Sequence, residues 1–303
     1  MQRARRAVVA GLGIAGLGVI ALAWIGSARA NDPNDPDVVT TVDAGTHPIA
    51  AAVQAGRHLR IDGPRGPIHV WIPAGYHADT AATIVYVHGY WDTVDTAWTT
   101  HQLPEQAALS GLNAMLIAPE APSHQRMPVN YPDLTEVIRI VEDELGVPRG
   151  AALTAAIGHS GAFRTLNAWL DEPMLDHLVM IDAMYGDEDL IVEWYRSSNR
   201  HRLIMVGEDT VLGTESVSAK LPDQGVTLDR FPPSYELWPP EARRARLVYI
   251  RAQFGHMALV TEGIVLPSIL RLFPVERLAD LPWKEPLGSL PPLIDGGTDA
   301  AAD

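Results

Sequence analysis

The 303-residue chain has no cysteine. That excludes disulfides, thiolate metal sites and a cysteine nucleophile, and leaves the compartment open. Positive charge is scarce: 23 Lys and Arg stand against 37 Asp and Glu, a formal net charge of −14. No basic patch occurs beyond the first residues, so nucleic acid is not an expected partner. There is no internal repeat. What the chain does have is apolar content: 47% of its residues are hydrophobic. That suffices for one large core, and the expectation is a single α/β domain with tails.

The N-terminus points to export. Arg3, Arg5 and Arg6 form a basic start, and residues 7–26 are uncharged and rich in Ala, Gly, Val, Leu and Ile. Ala28-Arg29-Ala30 is a small-x-small cleavage site. A signal peptide over residues 1–30 is expected, leaving a secreted or periplasmic protein with no membrane span. The run is long enough to cross a bilayer, so an uncleaved anchor is the alternative. The twin arginines Arg5-Arg6 sit in a poor context for a dedicated twin-arginine signal. Cleavage would remove Arg3, Arg5, Arg6 and Arg29 and make the chain more acidic still. Residues 31–57 read as an acidic linker and N-terminal segment. Its Asn31-to-Asp37 run lacks the glycine and distal glutamate of a calcium loop.

From residue 58 to 275 strand and helix patterns alternate. A hairpin is expected from His58–Asp62 and Ile68–Ile72, and apolar strands over 82–88, 113–118, 151–157, 178–181, 202–206 and 246–251. Helical patterns fall over 96–110 with a break at Pro104, over 132–145, from Phe163, over 187–195, and after the last strand through Phe273. Unbroken apolar strands alternating with helices imply an α/β fold: a mostly parallel, doubly wound sheet with helices on both faces. Residues 221–240, rich in proline, read as a long irregular excursion, and 276–303 as a loose C-terminal tail.

Three motifs carry chemistry. The first is Gly158-His159-Ser160-Gly161-Ala162, where a buried strand meets a helix. A serine at that corner, between small residues, has the layout of a nucleophile elbow. Ala162 stands where the pattern usually has glycine. Read more plainly, Ser160 is a helix cap. The second motif is His88-Gly89-Tyr90, after the apolar strand 82–88. In hydrolases with such an elbow, the loop after the corresponding strand supplies one oxyanion-hole amide and the residue after the serine the other, which here would be the backbone N–H groups of Tyr90 and Gly161. The third is Gly255-His256, after the last apolar strand. A serine hydroxyl needs a base within hydrogen-bond reach, and His256 stands where one is expected. His88 and His159 flank the site within the turn motifs. His58, His69 and His201 are expected to be structural, and His77, His101 and His124 to lie in loops or at the surface.

Together these motifs resemble the α/β-hydrolase fold family over about residues 58 to 275. The resemblance implies Ser160 as nucleophile, His256 as general base and then acid, and no cofactor or metal. The elbow and oxyanion loop argue for attack on an acyl ester, as in an esterase or lipase-like enzyme, and export suggests a small-molecule or envelope substrate. Residues 182–201 leave no room for the large helical lid often inserted there, so any cover must come from 119–131 or 221–240. The acid is open between two aspartates. Asp209 follows the strand that most often supplies it, but stands one residue before the usual place, which Thr210 occupies. Asp182 closes the preceding strand, where a buried carboxylate needs a partner. Asp182 is favoured, with Asp209 as the alternative. Tyr90, Trp91, Trp98 and Tyr185 either line a cleft or pack at the sheet edge. A non-catalytic exported protein of the same fold, binding a ligand or partner, is the competing reading.

Overall fold

The computed structural model describes residues 48–221 and 225–281. The expected signal peptide over 1–30 and most of the linker and tail lie outside the described residues. No described helix is long and apolar enough to cross a membrane.

The first described element is helix α1 (Pro48–Ala55), followed by the hairpin β1 (Arg57–Gly63) and β2 (Gly66–Ile72) and then β3 (Ala82–Val87). The helical pattern after β3 is two helices, α2 (Val94–Thr100) and α3 (Leu103–Ser110). The break comes at Gln102, with φ of 48°, and Pro104 sits in the first turn of α3, where its missing N–H costs nothing. Strand β4 (Ala114–Pro119) leads to α4 (Leu134–Leu145). Asp133 caps α4 by accepting from the Glu136 amide at 2.9 Å, and Gly146, with φ of 62°, ends it. Next come β5 (Leu153–His159), α5 (Phe163–Ala168), β6 (His177–Ile181), α6 (Glu188–Ser197) and β7 (Arg202–Gly207). The chain continues through α7 (Val211–Lys220), β8 (Gly225–Leu228), α8 (Pro240–Arg244) and β9 (Leu247–Arg251), and ends in α9 (Ala258–Thr261) and α10 (Val265–Leu270).

The nine strands form one sheet in the order β1-β2-β4-β3-β5-β6-β7-β9-β8. Strand β2 pairs antiparallel with β1 and β4, and every other pair is parallel. All residues of β3, β5, β6 and β7 are buried, because helices cover both faces. Alternation along each strand divides the core. Ile84, Ile157 and Val206 pack with α1, α2, α3 and α10 on one face, while Val85, Met180 and Met205 pack with α4, α5 and α6 on the other. Truncating one such buried side chain to alanine typically costs about 2–5 kcal/mol.

The structure differs from the sequence reading in several places. Within the stretch 31–57, read as an acidic linker and N-terminal segment, residues 48–55 form helix α1, with Ile49 in the core. The stretch 221–240 holds an edge strand, β8, paired parallel to β9. The last helix is two, separated at Gly263, whose φ of 68° no helix interior permits. Residues 276–278 are anchored rather than loose: the amide of Asn113 donates to the Glu276 carbonyl at 2.8 Å, and that of Leu278 to the Gly111 carbonyl at 2.8 Å. Residues 182–187 alone connect β6 to α6, so there is no large lid at that point.

Candidate active site

Ser160 stands at the end of β5 with φ of 54°. A non-glycine residue in the left-handed region costs about 1–2 kcal/mol, and such strain clusters at functional sites. The neighbours show why the corner needs small residues. A Cβ on Gly158 would lie 2.8 Å from Ala162 Cβ and 2.6 Å from Leu166. A Cβ on Gly161 would collide with the Tyr90 ring, and one on Gly89 would lie 2.8 Å from Ser160 Cβ. Alanine is tolerated at 162 because its methyl packs into the core. The loop after β3 therefore rests directly on the corner after β5, and Tyr90, Gly161 and Ser160 share one spot at the C-terminal edge of the sheet.

Asp182 ends the neighbouring strand β6, also strained, with φ of 46°. It is fully buried. Its Oδ2 lies 2.6 Å from His256 Nδ1, on the loop after β9. The loop after β7 closes round the same carboxylate. Oδ1 accepts from the amides of Glu208 at 2.9 Å and Thr210 at 2.8 Å, and from the Thr210 hydroxyl at 2.8 Å. Oδ2 accepts from the Asp209 amide at 3.1 Å. Burial pushes the Asp182 carboxyl up, but His256 and these donors outweigh it and hold the group well below the usual carboxylate range. The bond to Asp182 in turn raises His256 above an ordinary histidine, against its own partial burial. Asp209 Oδ2 is 3.7 Å from His256 Nδ1, and its side chain is 62% exposed. The place three residues beyond Gly207 is thus taken by Thr210, which binds the carboxylate from β6 instead of supplying one.

A second histidine–carboxylate pair, which the sequence reading did not foresee, secures the loop after β3. His88 is buried; its Nδ1 donates to the Gly89 carbonyl at 2.8 Å, and its Nε2 lies 2.9 Å from Glu120 Oε1. The other Glu120 oxygen accepts from the Val94 amide at 3.3 Å, at the start of α2. Trp91 follows with φ of 68°, its amide donating to the Ser123 carbonyl at 2.7 Å.

The four aromatics separate. Trp98 is buried and stacks against both His58 and His69, with ring centroids 4.9 and 4.7 Å away. Tyr90 lies on Gly161, while Trp91 is 89% exposed. Tyr185 is half exposed and packs on Phe163 at 5.9 Å. Burial and Asp182 raise its phenol, and the neighbouring Ser160 side chain pulls the other way. His101, expected in a loop or at the surface, lies in the turn between α2 and α3 but is buried, with Nδ1 2.8 Å from the Tyr86 hydroxyl. Asp182, Glu208, Asp209 and His256 offer ligand atoms within 4.8 Å of one another. A cation there would have to displace donors that already saturate Asp182.

The sheet order, the strained serine corner and the loops that meet above it define the α/β-hydrolase fold that the motifs led us to expect. No family model matches the sequence, and no curated protein matches it. Solved structures do resemble the chain. One is the feruloyl esterase module from Clostridium thermocellum, complexed with sinapinate: 14% identity, TM-score 0.45, covering 71% of this chain and 88% of that one. Another is an esterase from Pyrobaculum calidifontis, at 13% identity and TM-score 0.43, covering 75% and 90%. A third is an S-formylglutathione hydrolase from Agrobacterium tumefaciens, at 8% identity and TM-score 0.43, covering 72% and 92%.

Proposed function

We propose that the chain is a serine hydrolase that cleaves a carboxylic ester through an acyl-enzyme. The observation that carries the proposal is the Asp182–His256 hydrogen bond of 2.6 Å, at the sheet edge where a serine is held at φ of 54°. In this reading Ser160 Oγ attacks the carbonyl carbon as His256 Nε2 takes its proton. The tetrahedral oxyanion accepts from the Tyr90 and Gly161 amides, each such donor being worth roughly 3 kcal/mol. Collapse breaks the bond to the leaving alcohol, which takes the proton from His256. Water, deprotonated by the same nitrogen, then releases the acid and restores Ser160. Asp182 holds Nδ1–H, fixes the tautomer and stabilises the imidazolium. The scheme uses no cofactor.

Among the described residues, no hydrogen bond joins Ser160 to His256. Catalytic hydrogen bonds often tighten only as substrate enters. The same observation favours the second reading, a non-catalytic binding protein of this fold. A fluorophosphonate probe separates them. Covalent labelling that disappears in Ser160→Ala supports the hydrolase, and folded wild-type protein that takes no label supports the binding protein.

The proposal extends to location: the folded part is exported and acts on an extracellular or envelope ester. Mature protein is expected to begin near Asn31. N-terminal sequencing that finds Met1 on membrane-bound protein would establish the anchor instead.

A further inference from the structure

His159, immediately before Ser160, is 2% exposed, and alternation puts its ring on the same face of β5 as Ile157. Its Nε2 lies 3.1 Å from the backbone carbonyl of His256. A carbonyl only accepts, so Nε2 carries the hydrogen and Nδ1 is bare. The ring lies 4.5 Å from the His256 ring, at an interplanar angle of 40°. On its other side the backbone of Gly89 passes so close that a Cβ there would lie 3.4 Å from His159 Nδ1. Behind it His101 makes an edge contact at 6.0 Å, held by the Tyr86 hydroxyl. One ring therefore touches the loop of Tyr90, the loop of His256 and, through the chain, Ser160.

We infer that His159 is a positioning residue that clamps the main chain of His256 and so sets where its imidazole stands over Ser160. The inference rests on the hydrolase reading above. The alternative for a buried histidine is plain core filling. Burial holds His159 down to about 3, so the ring stays a neutral single donor throughout the working range. The His256 loop needs such a clamp. Helix α9 after it is only four residues long, Asp182 grips the side chain at Nδ1, and the turn's own tie is the Leu259 amide on the Gly255 carbonyl at 3.2 Å, so His159 is the side chain that holds the His256 carbonyl.

The test compares two near-isosteres, His159→Gln, which keeps an N–H donor, and His159→Met, which keeps the length without one. The full-length protein is assayed on p-nitrophenyl acetate, with thermal melting alongside. The glutamine variant is expected to retain most of kcat. The methionine variant should lose about 10–100-fold in kcat, since misplacing a catalytic group by about 1 Å can cost 100-fold. KM should stay within about threefold for both, because the clamp acts after binding. Equal kcat in the two variants would overturn the inference, as would a methionine variant that loses melting temperature but not kcat, or one that does not fold. A wild-type protein that neither turns over ester nor labels with fluorophosphonate refutes the hydrolase reading itself. Turnover with equal variants refutes only the clamp.

Discussion

Two histidine–carboxylate pairs sit at the same edge of the sheet, and they are built in opposite senses. In His88–Glu120 the histidine is buried, with 1% side-chain exposure, and the glutamate is nearer the surface at 15%. In His256–Asp182 the carboxylate is sealed at 0% and the histidine is 27% exposed. His88 spends both nitrogens inside the protein, on the Gly89 carbonyl and on Glu120. It has nothing left to offer a substrate, and what it fixes is backbone. His256 spends only Nδ1, so Nε2 is left for chemistry. Burial decides the role: a buried carboxylate with five donors is a fixed charge, and the histidine on it becomes a stronger base.

The comparison can be broken at either pair. The largest effect is expected from Asp182→Asn, which should lower kcat by about 10³–10⁴ as the histidine takes the wrong tautomer, with the fold kept. Asp209→Asn, on a side chain 3.7 Å from His256, should change kcat by no more than about threefold, as for an exposed charge. The reverse order would make Asp209 the acid. Glu120→Gln should act more weakly and differently. It disturbs an oxyanion amide only through His88, so a loss of about tenfold is expected, less than the 10²–10³ for removing a donor. A buried pair broken on one side also costs stability, about 1–3 kcal/mol by chemical denaturation.

The pH profile sharpens the contrast further. His256 must be neutral to accept a proton, and Asp182 raises it, so kcat/KM should fall on acidification with a midpoint above about 6.5. Asp182→Asn should move that midpoint down, and an unmoved midpoint would mean another group titrates. Stability follows the same signs. Asp182 titrates lower folded than unfolded, so its contribution is present above about pH 3.9 and drains away as pH falls towards the folded value. The contribution of His256 is full below its unfolded value near 6.5 and is lost as pH rises through the folded one. The smallest effect is expected at Asp209→Asn, where the midpoint should shift down only slightly.

How much of this was legible in sequence depends on where the signal lay. The buried strands announced themselves by unbroken apolar runs, and the corner at Ser160 by its small residues. Asp182 could be singled out because an aspartate ending a buried strand must find a partner. The edge strand β8 could not be read, since its four residues alternate between exposed and half-buried inside a proline-rich stretch. Helix α7 buries only Thr214 and Val217 and so has almost no apolar stripe. Glu120 was hidden for another reason. It lies 32 residues from His88, and only the parallel pairing of β3 with β4 brings the two strand ends together. The burial of His101 could not be read because nothing near it in sequence reveals Tyr86 beneath it.

Trp91 has an optical consequence. Trp71, Trp98, Trp169, Trp194 and Trp238 are all buried, while Trp91 stands 89% exposed beside Tyr90. Its indole is therefore the one among the described tryptophans that emits in water and meets a soluble quencher. The difference between wild-type emission and that of Trp91→Phe isolates this single fluorophore. Anything that settles over Ser160 and shields it should shift that difference spectrum to the blue, so the protein carries its own reporter of occupancy.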